Sequence, residues 1–425
     1  MGHIEDRWFN TVTRPDGSTH QVKTRLYGTG MRYRVRYEDP NTGRERKKSF
    51  PDRAKKAAQD YLISVESDKR RGVYIDPAAG QILFRDYAET WLRTRRIDAS
   101  TRESMEIRVR RHLYPFFGHR QLSAIRPGHI REWDAQLVGV IGSATRAVTF
   151  AHLRSIFSAA VDDERIAKNP CSAKSVDRPR PDERKVVPWT LEQVRAVRAA
   201  IPARYQPMVD LGSGCGLRQG EIFGLAAEDI DFAGGWIHVR RQVKRVRSRL
   251  VFGLLKNNKD RRVPLADAIA EVLAQHIADV PPMAVTLPWE DPDNDRRESA
   301  VLLFTTTHKN AINRSDFNPN FWHPAVAAAG MERSRDNGMH ALRHFYASAL
   351  LDAGETVKAL AAYLGHADPG FTLRTYTHLM PASEERTRAA IDKLFGTRRE
   401  PHTPWRRPTR AWRHRIRRST PVRGT

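Results

Sequence analysis

The rhythm of polar and apolar positions changes along the chain, and each change predicts a different kind of element. Near the start, Met31-Arg-Tyr-Arg-Val-Arg-Tyr37 alternates strictly. On a strand this places Tyr33, Val35 and Tyr37 on one side and Arg32, Arg34 and Arg36 on the other. The turn signal Asp39-Pro-Asn-Thr-Gly43 follows, so Arg44–Phe50 is predicted to return as the paired strand, with Gln21–Tyr27 supplying a third. A helix over Ala54–Ser67 then packs Ala57, Tyr61 and Val65 underneath.

Beyond residue 82 the period becomes helical. Phe84, Tyr87, Ala88, Trp91 and Leu92 fall on one face, and Ser100-Thr-Arg-Glu103 reads as a capping box opening a helix that carries Ile107, Val109 and Leu113. Further helices are predicted over Pro127–Leu137 and Ala144–Asp162. The stretch 169–182 is polar and proline-broken, as a linker is. At Val187-Pro-Trp-Thr190 a new domain starts, with Thr190 and Gln193 as a second capping box. Within it Trp236–Val239, Leu250–Leu255 and Arg261–Leu265 read as strands, the last two joined by a turn at Lys256–Asp260. Pro281–Ser299, rich in Pro and Asp, reads as an extra surface loop. The expected fold class is multidomain α+β. A small β-rich module spans 1–80, a helical domain 82–170 and a linker 171–186. A mainly α domain with a small antiparallel sheet spans 187–395, and a basic, disordered tail 396–425.

Charge narrows the partner. Lys and Arg number 73 against 49 Asp and Glu, a formal net charge of +24. Such an excess repels itself unless a polyanion neutralises it, so nucleic acid is the expected partner; a basic protein that merely tolerates its charge is the bland alternative. The row Arg32, Arg34, Arg36 suits DNA contact, with a solvated edge face as the alternative; Arg102 and Arg108 on the helical domain are further candidates. No stretch approaches the roughly 18 to 20 apolar residues of a membrane span, and the first residues lack a secretory signal, so a cytoplasmic protein is expected. Cys171 and Cys215 form neither a disulfide framework nor a C-x-x-C pair.

Four segments of the 187–395 domain hold candidate chemistry. In Gly214-Cys-Gly-Leu-Arg-Gln-Gly-Glu221, Arg218 stands where a helix starts, and its guanidinium suits an anion. Lys256 lies at the predicted turn. In His340-Ala-Leu-Arg-His344, His340 and Arg343 share a helix face. His340 and His344 have metal-pair spacing, but no glutamate follows His340 and no third ligand stands near, so no metal is expected. Last, Leu364-Gly-His366 precedes Tyr376 by ten residues. Each signal alone has an ordinary structural reading.

Their joint order resembles the tyrosine recombinase (phage integrase) family. The likeness covers 187–395 motif by motif; more loosely, 82–170 is similar to the family's helical (SAM-like) core-binding domain and 1–80 to its arm-type DNA-binding domain. The resemblance implies a recombinase that cleaves and rejoins DNA through a 3′-phosphotyrosyl intermediate, as the integrase of a phage or other mobile element. It puts catalytic arginines at Arg218 and Arg343, the hairpin lysine at Lys256 (with Lys259 as the rival), histidines at His340 and His366, the nucleophile at Tyr376, and a bracing acid at Glu221. Family members often carry Lys-Thr at the turn, whereas Asn257 follows Lys256 here.

Chemically, the arginines hold charge on the phosphate and His366 donates a further hydrogen bond. The cationic pocket lowers the phenol pKa, His340 serves as base or relay, and Lys256 protonates the leaving 5′ oxygen. No cofactor is expected and no P-loop is present. Double-stranded recombination sites, a homotetramer on DNA with an exchanged C-terminal segment through Ile391 and Leu394, and accessory bending or directionality factors are the implied partners. The rivals are a noncatalytic DNA-binding or architectural protein and a type IB topoisomerase, which relaxes DNA without exchanging partners.

Overall fold

The computed structural model describes residues 2–40, 42–72, 74–76, 78–182, 186–255, 260–376 and 384–395. The N-terminal sheet is antiparallel, in the order His3–Asp6, Tyr33–Glu38, Glu45–Phe50. Tyr33, Val35 and Tyr37 are buried against the helix Lys55–Arg70, as alternation requires. Two expectations fail here. The third strand is His3–Asp6; Thr19–Lys23 instead pairs with Phe9–Thr13 in a separate hairpin. On the helix Ala58 is buried and Ala57 exposed, because 58, 61, 62 and 65 form the apolar stripe.

The helical region packs Phe84, Tyr87, Ala88, Trp91 and Leu92 against Val109, Leu113, Trp133 and Phe157 in one core. Asp98, not Ser100, caps the helix Ala99–Arg108: its carboxylate accepts from the backbone N–H groups of Ser100 and Thr101. A carboxylate outcompetes a hydroxyl there, and both hydroxyls donate to it in turn. Glu103 is thereby released, and accepts from the backbone N–H of Arg247 at 3.0 Å. Ile107 stays half exposed. Part of the expected linker is packed, since Cys171 and Val176 are buried in this same core.

The remaining core gathers residues from Trp189 to Leu342. The helices Gln206–Gly214 and His340–Asp352 pack together within it, and the Thr190–Gln193 capping box is present. Trp236–Val239 pairs with Ile230–Asp231 and with Arg261–Pro264, whereas Arg249–Gly253 pairs with Gln242–Val246. The strands flanking 256–259 therefore belong to different sheets, and the expected direct pairing between them is not observed. The segment read as an extra loop is instead an antiparallel hairpin of Met283–Pro288 and Arg297–Leu302. Its turn carries Asp291 and Asp293, which pair with Arg247 and Arg249. Among the described residues no helix is long and apolar enough to cross a membrane.

Candidate active site

A helix end organises the site. The helix Val357–Leu364 stops at Gly365, which takes a left-handed φ of 64° that costs glycine little. Carbonyls of the last turn have no partner within a helix and carry the negative end of its dipole, so they attract cations. Three arginines collect there. Arg261 Nε donates to the Tyr363 carbonyl at 2.7 Å, Arg218 Nη2 to the Leu364 carbonyl at 3.3 Å, and Arg343 Nη2 also to the Leu364 carbonyl.

Glu221 ties this group together. It is 2% exposed and accepts from Arg218 Nη1 at 2.8 Å and from Arg261 Nη1 and Nη2 at 2.9 and 2.6 Å. Burial pushes its carboxyl up, but Arg261 foremost, then Arg218 and Arg343, hold it down at about 2. Its other oxygen also accepts from the Arg218 backbone N–H at 2.8 Å. Three guanidiniums against one carboxylate leave a net charge of +2 in this group.

Arg343 is 1% exposed. Its Nη1 donates to the Gly216 carbonyl at 2.7 Å and its Nη2 to His366 Nε2 at 3.2 Å. Burial first, then repulsion from Arg218, makes its charge costlier than usual. His366 Nε2 can accept this bond only unprotonated, so the ring proton sits on Nδ1, which donates to Thr372 Oγ1 at 2.7 Å. In this arrangement His366 orients Arg343, and its ring proton is directed to Thr372, so the expected further donation to a phosphate is not made from this arrangement.

Tyr376 closes the helix Pro369–Tyr376 and is 2% exposed, packed with Tyr346, Leu360 and Leu364. Its hydroxyl is hydrogen-bonded to His344 Nδ1 at 2.7 Å. Two expectations change. The cationic pocket does not win: burial pushes the phenol up to about 12, against the opposing pull of Arg343 and Arg218. The histidine on the phenol is His344, not His340. The two rings meet edge to face, 4.7 Å apart. His340 keeps one side open to solvent, yet close packing around its ring, then His344, Arg343 and Arg218, holds it down at about 3.

Arg218, His340 and His344 line an open cleft of about 890 Å³, with Gln219, Gln242 and Arg335. Lys256 lies outside the described residues, as do Lys259 and the tail from 396. Arg218, His340, Arg343, His366 and Tyr376 thus converge from segments far apart in sequence, with Glu221 beneath them. Two further participants, Arg261 and Thr372, escaped the sequence reading, and His344 entered it only as one of a possible metal pair. Arg261 alternates in phase with buried Val263, a signal that it points inward. No group of three or more potential metal ligands occurs among the described residues.

The five arginines expected at DNA have internal partners. Arg32 pairs with Asp6 and Asp52, Arg36 with Glu5 and Glu45, and Arg34 lies 3.9 Å from Glu5. Arg102 donates to the carbonyls of Leu92 and Arg95, and Arg108 to that of Ser104.

Comparison with known proteins gives the family and the fold. The phage integrase family model matches residues 189–383, and the model of the phage integrase N-terminal SAM-like domain matches 83–137. The chain belongs to the phage integrase family of tyrosine recombinases. Among family members, the integrase of Mycobacterium phage L5 is 29% identical over 323 residues, 75% of this chain and 81% of that protein. The XerC-like tyrosine recombinase of Caldanaerobacter subterraneus is 27% identical over 262 residues, 57% of this chain and 64% of that one. The fold is that of the Tn1549 transposon integrase solved with transposon right end DNA (TM-score 0.60, 21% identity, 74% of this chain and 100% of that one). A lambda integrase dimer bound to a COC′ core site also matches (TM-score 0.54, 16% identity, 86% and 94%).

Proposed function

We propose that the chain is a site-specific recombinase that cleaves and rejoins double-stranded DNA through a 3′-phosphotyrosyl link on Tyr376, integrating or excising a mobile element. The observation that carries this reading is the convergence of Arg218 and Arg343 on the Leu364 carbonyl beside His366 and Tyr376. Phosphoryl transfer spreads charge over nonbridging oxygens, and fixed guanidiniums can hold it without reorganising. Contacts among the described residues use three of the five N–H donors of Arg343, leaving Nε–H and one Nη1–H for a phosphate. Glu221 and Arg261 brace Arg218, and His340 stands at the open mouth of the cleft as a donor or relay. Lys256 is the assigned acid for the leaving 5′ oxygen.

A phosphate must gain access to the buried hydroxyl of Tyr376. Binding to DNA within a homotetramer supplies an occasion, with exchange of the helix Glu384–Phe395, whose Ile391, Leu394 and Phe395 are exposed. In this reading 1–80 binds arm-type sites, 82–170 grips the core site, 171–186 links that domain to the catalytic domain 187–395, and accessory factors set direction. The test presents the full chain with a randomised pool of nicked duplexes, recovers denaturant-resistant adducts and maps them by mass spectrometry. A 3′-linked nucleotide on Tyr376 is expected, with Tyr376→Phe forming none while still shifting DNA in a gel. An adduct on another residue, or none from protein that binds the DNA, overturns the reading.

A further inference from the structure

We propose that His344, through Nδ1, is the base that takes the phenolic proton of Tyr376 when the tyrosine attacks phosphorus. The inference rests on the recombinase reading above and assigns a role the family motif does not place at this position. A phenol has one proton, and an unprotonated imidazole nitrogen 2.7 Å away is a strong acceptor for it. With the imidazole proton on Nε2, the bond runs from Tyr376 O–H to His344 Nδ1.

Geometry separates the two histidines of the helix. His340 and His344 are one turn apart and share a face, but only His344 touches the phenol among the described contacts. An apolar cluster packs Tyr376, at the end of the helix Pro369–Tyr376, against Tyr346, Ala347 and Leu351 of the helix His340–Asp352, which carries His344. His344 also reaches the cleft, where a proton it receives can leave. The groups around it are Tyr376 from the neighbouring helix, His340 and Arg343 from its own, and Asp336 just before its own helix, with Arg218 and Arg335 also lining the cleft. Burial, then Arg343, lowers its basicity, with Asp336 opposing; at about 4 it stays neutral and ready to accept at ordinary pH.

The step balances. The Tyr376 oxygen forms its bond to phosphorus, the bond from phosphorus to the 5′ oxygen breaks, and the phenolic proton moves to His344 Nδ1. The 5′ oxygen takes its proton from the separate acid. In the return reaction the 5′ hydroxyl attacks, its proton passing back to that same separate group, the bond from phosphorus to the tyrosyl oxygen breaks, and His344 returns its proton to that oxygen.

Removing the base leaves attack dependent on spontaneous ionisation of a phenol that titrates at about 12. The test uses the full chain and a nicked duplex recovered by covalent capture on the wild type, with adduct formation timed from pH 6 to 9. Wild type is expected to be nearly flat across this range, because His344 is already neutral. His344→Ala should fall at least 100-fold at pH 7. Its rate should also rise about tenfold per pH unit, as expected for a phenol ionising below its pKa. His344→Asn keeps a hydrogen-bond acceptor but cannot carry the proton, so it should behave like His344→Ala even if it melts like wild type. Added imidazole should partly restore His344→Ala. His340→Ala should slow the reaction without creating the pH slope.

If His344→Asn cleaves within a few-fold of wild type, or either His344 variant keeps a flat profile, the bond is structural and the inference fails. If His340→Ala acquires the slope, the base is His340. In each of these cases the Tyr376 adduct still forms, so the wider reading survives. A wild type that forms no such adduct defeats that reading instead.

Discussion

Replacing Arg261 with methionine isolates what the buried carboxylate costs when it loses its main partner. Methionine keeps much of the apolar stem, which lies against the position a side chain at Gly365 would occupy, so packing changes little. What disappears is the donor set: two bonds to Glu221, at 2.9 and 2.6 Å, and one to the Tyr363 carbonyl at 2.7 Å. Both partners of the ion pair are deeply buried, with side-chain exposures of 6% and 1%. Breaking one side of such a pair costs about 3 to 5 kcal/mol, because the other charge is left without compensation. The carboxyl offers a second estimate. Its drop from an ordinary 4.5 to about 2 corresponds to about 3 kcal/mol at about 1.36 kcal/mol per pH unit, with Arg261 the largest contributor to that lowering. The two figures agree in order.

The sign with pH follows. A carboxyl depressed in the folded state contributes stability that is fully present above about 4.5 and is lost as pH falls toward about 2. Thermal unfolding of full-length wild type and Arg261→Met, followed by calorimetry at pH 7 and at pH 3, tests this. For a folding unit of roughly 200 residues, 3 to 5 kcal/mol lowers the midpoint by roughly 6 to 20 °C at pH 7. At pH 3 the gap should shrink, because the variant has less carboxylate stabilisation left to lose. Adding Glu221→Gln to Arg261→Met should recover part of the deficit at pH 7, since the orphaned charge is gone. A loss below about 1 kcal/mol, or a gap that does not change with pH, would refute the idea that Arg261 holds Glu221 ionised.

Two further perturbations address the scaffold. Gly216→Ala should destabilise by roughly 2 to 5 kcal/mol in urea unfolding, since φ is 65° and a Cβ would collide with the Tyr346 ring; a loss under about 1 kcal/mol would show the turn is free to move. Thr372→Val removes the acceptor that His366 Nδ1 uses at 2.7 Å, at nearly constant shape and a cost of about 1 to 3 kcal/mol. Nitrogen-15 imidazole shifts should report His366 leaving the Nδ1–H form, and an unchanged tautomer would contradict the Arg343–His366–Thr372 relay.

Which parts of this molecule were legible in its sequence follows from how far each interaction reaches. Periodicity placed Val35 and Tyr37 inward, and Phe84, Trp91 and Leu92 in one core, because neighbours along the chain decide those positions. The motif order also brought Arg218, His340, Arg343, His366 and Tyr376 forward as a set. Choices between close competitors were not readable. Asp98 displaced Ser100 as cap because its carboxylate accepts from two N–H groups at once, and His3–Asp6 took the sheet edge intended for Gln21–Tyr27.

The arginine row shows the same limit at longer range. Its alternation is real, but Glu5 stands opposite Arg34 only once the first strand pairs, and the acids around it change a bare cationic face into a compensated one. The site's hidden members lie furthest out of reach. Glu221 and Arg261 are 40 residues apart and His344 and Tyr376 are 32, so neither partner has any local mark of the other. A motif names the residues that face the phosphate. The groups that hold those residues, or take their protons, are chosen by which helix end and which ring the fold brings alongside.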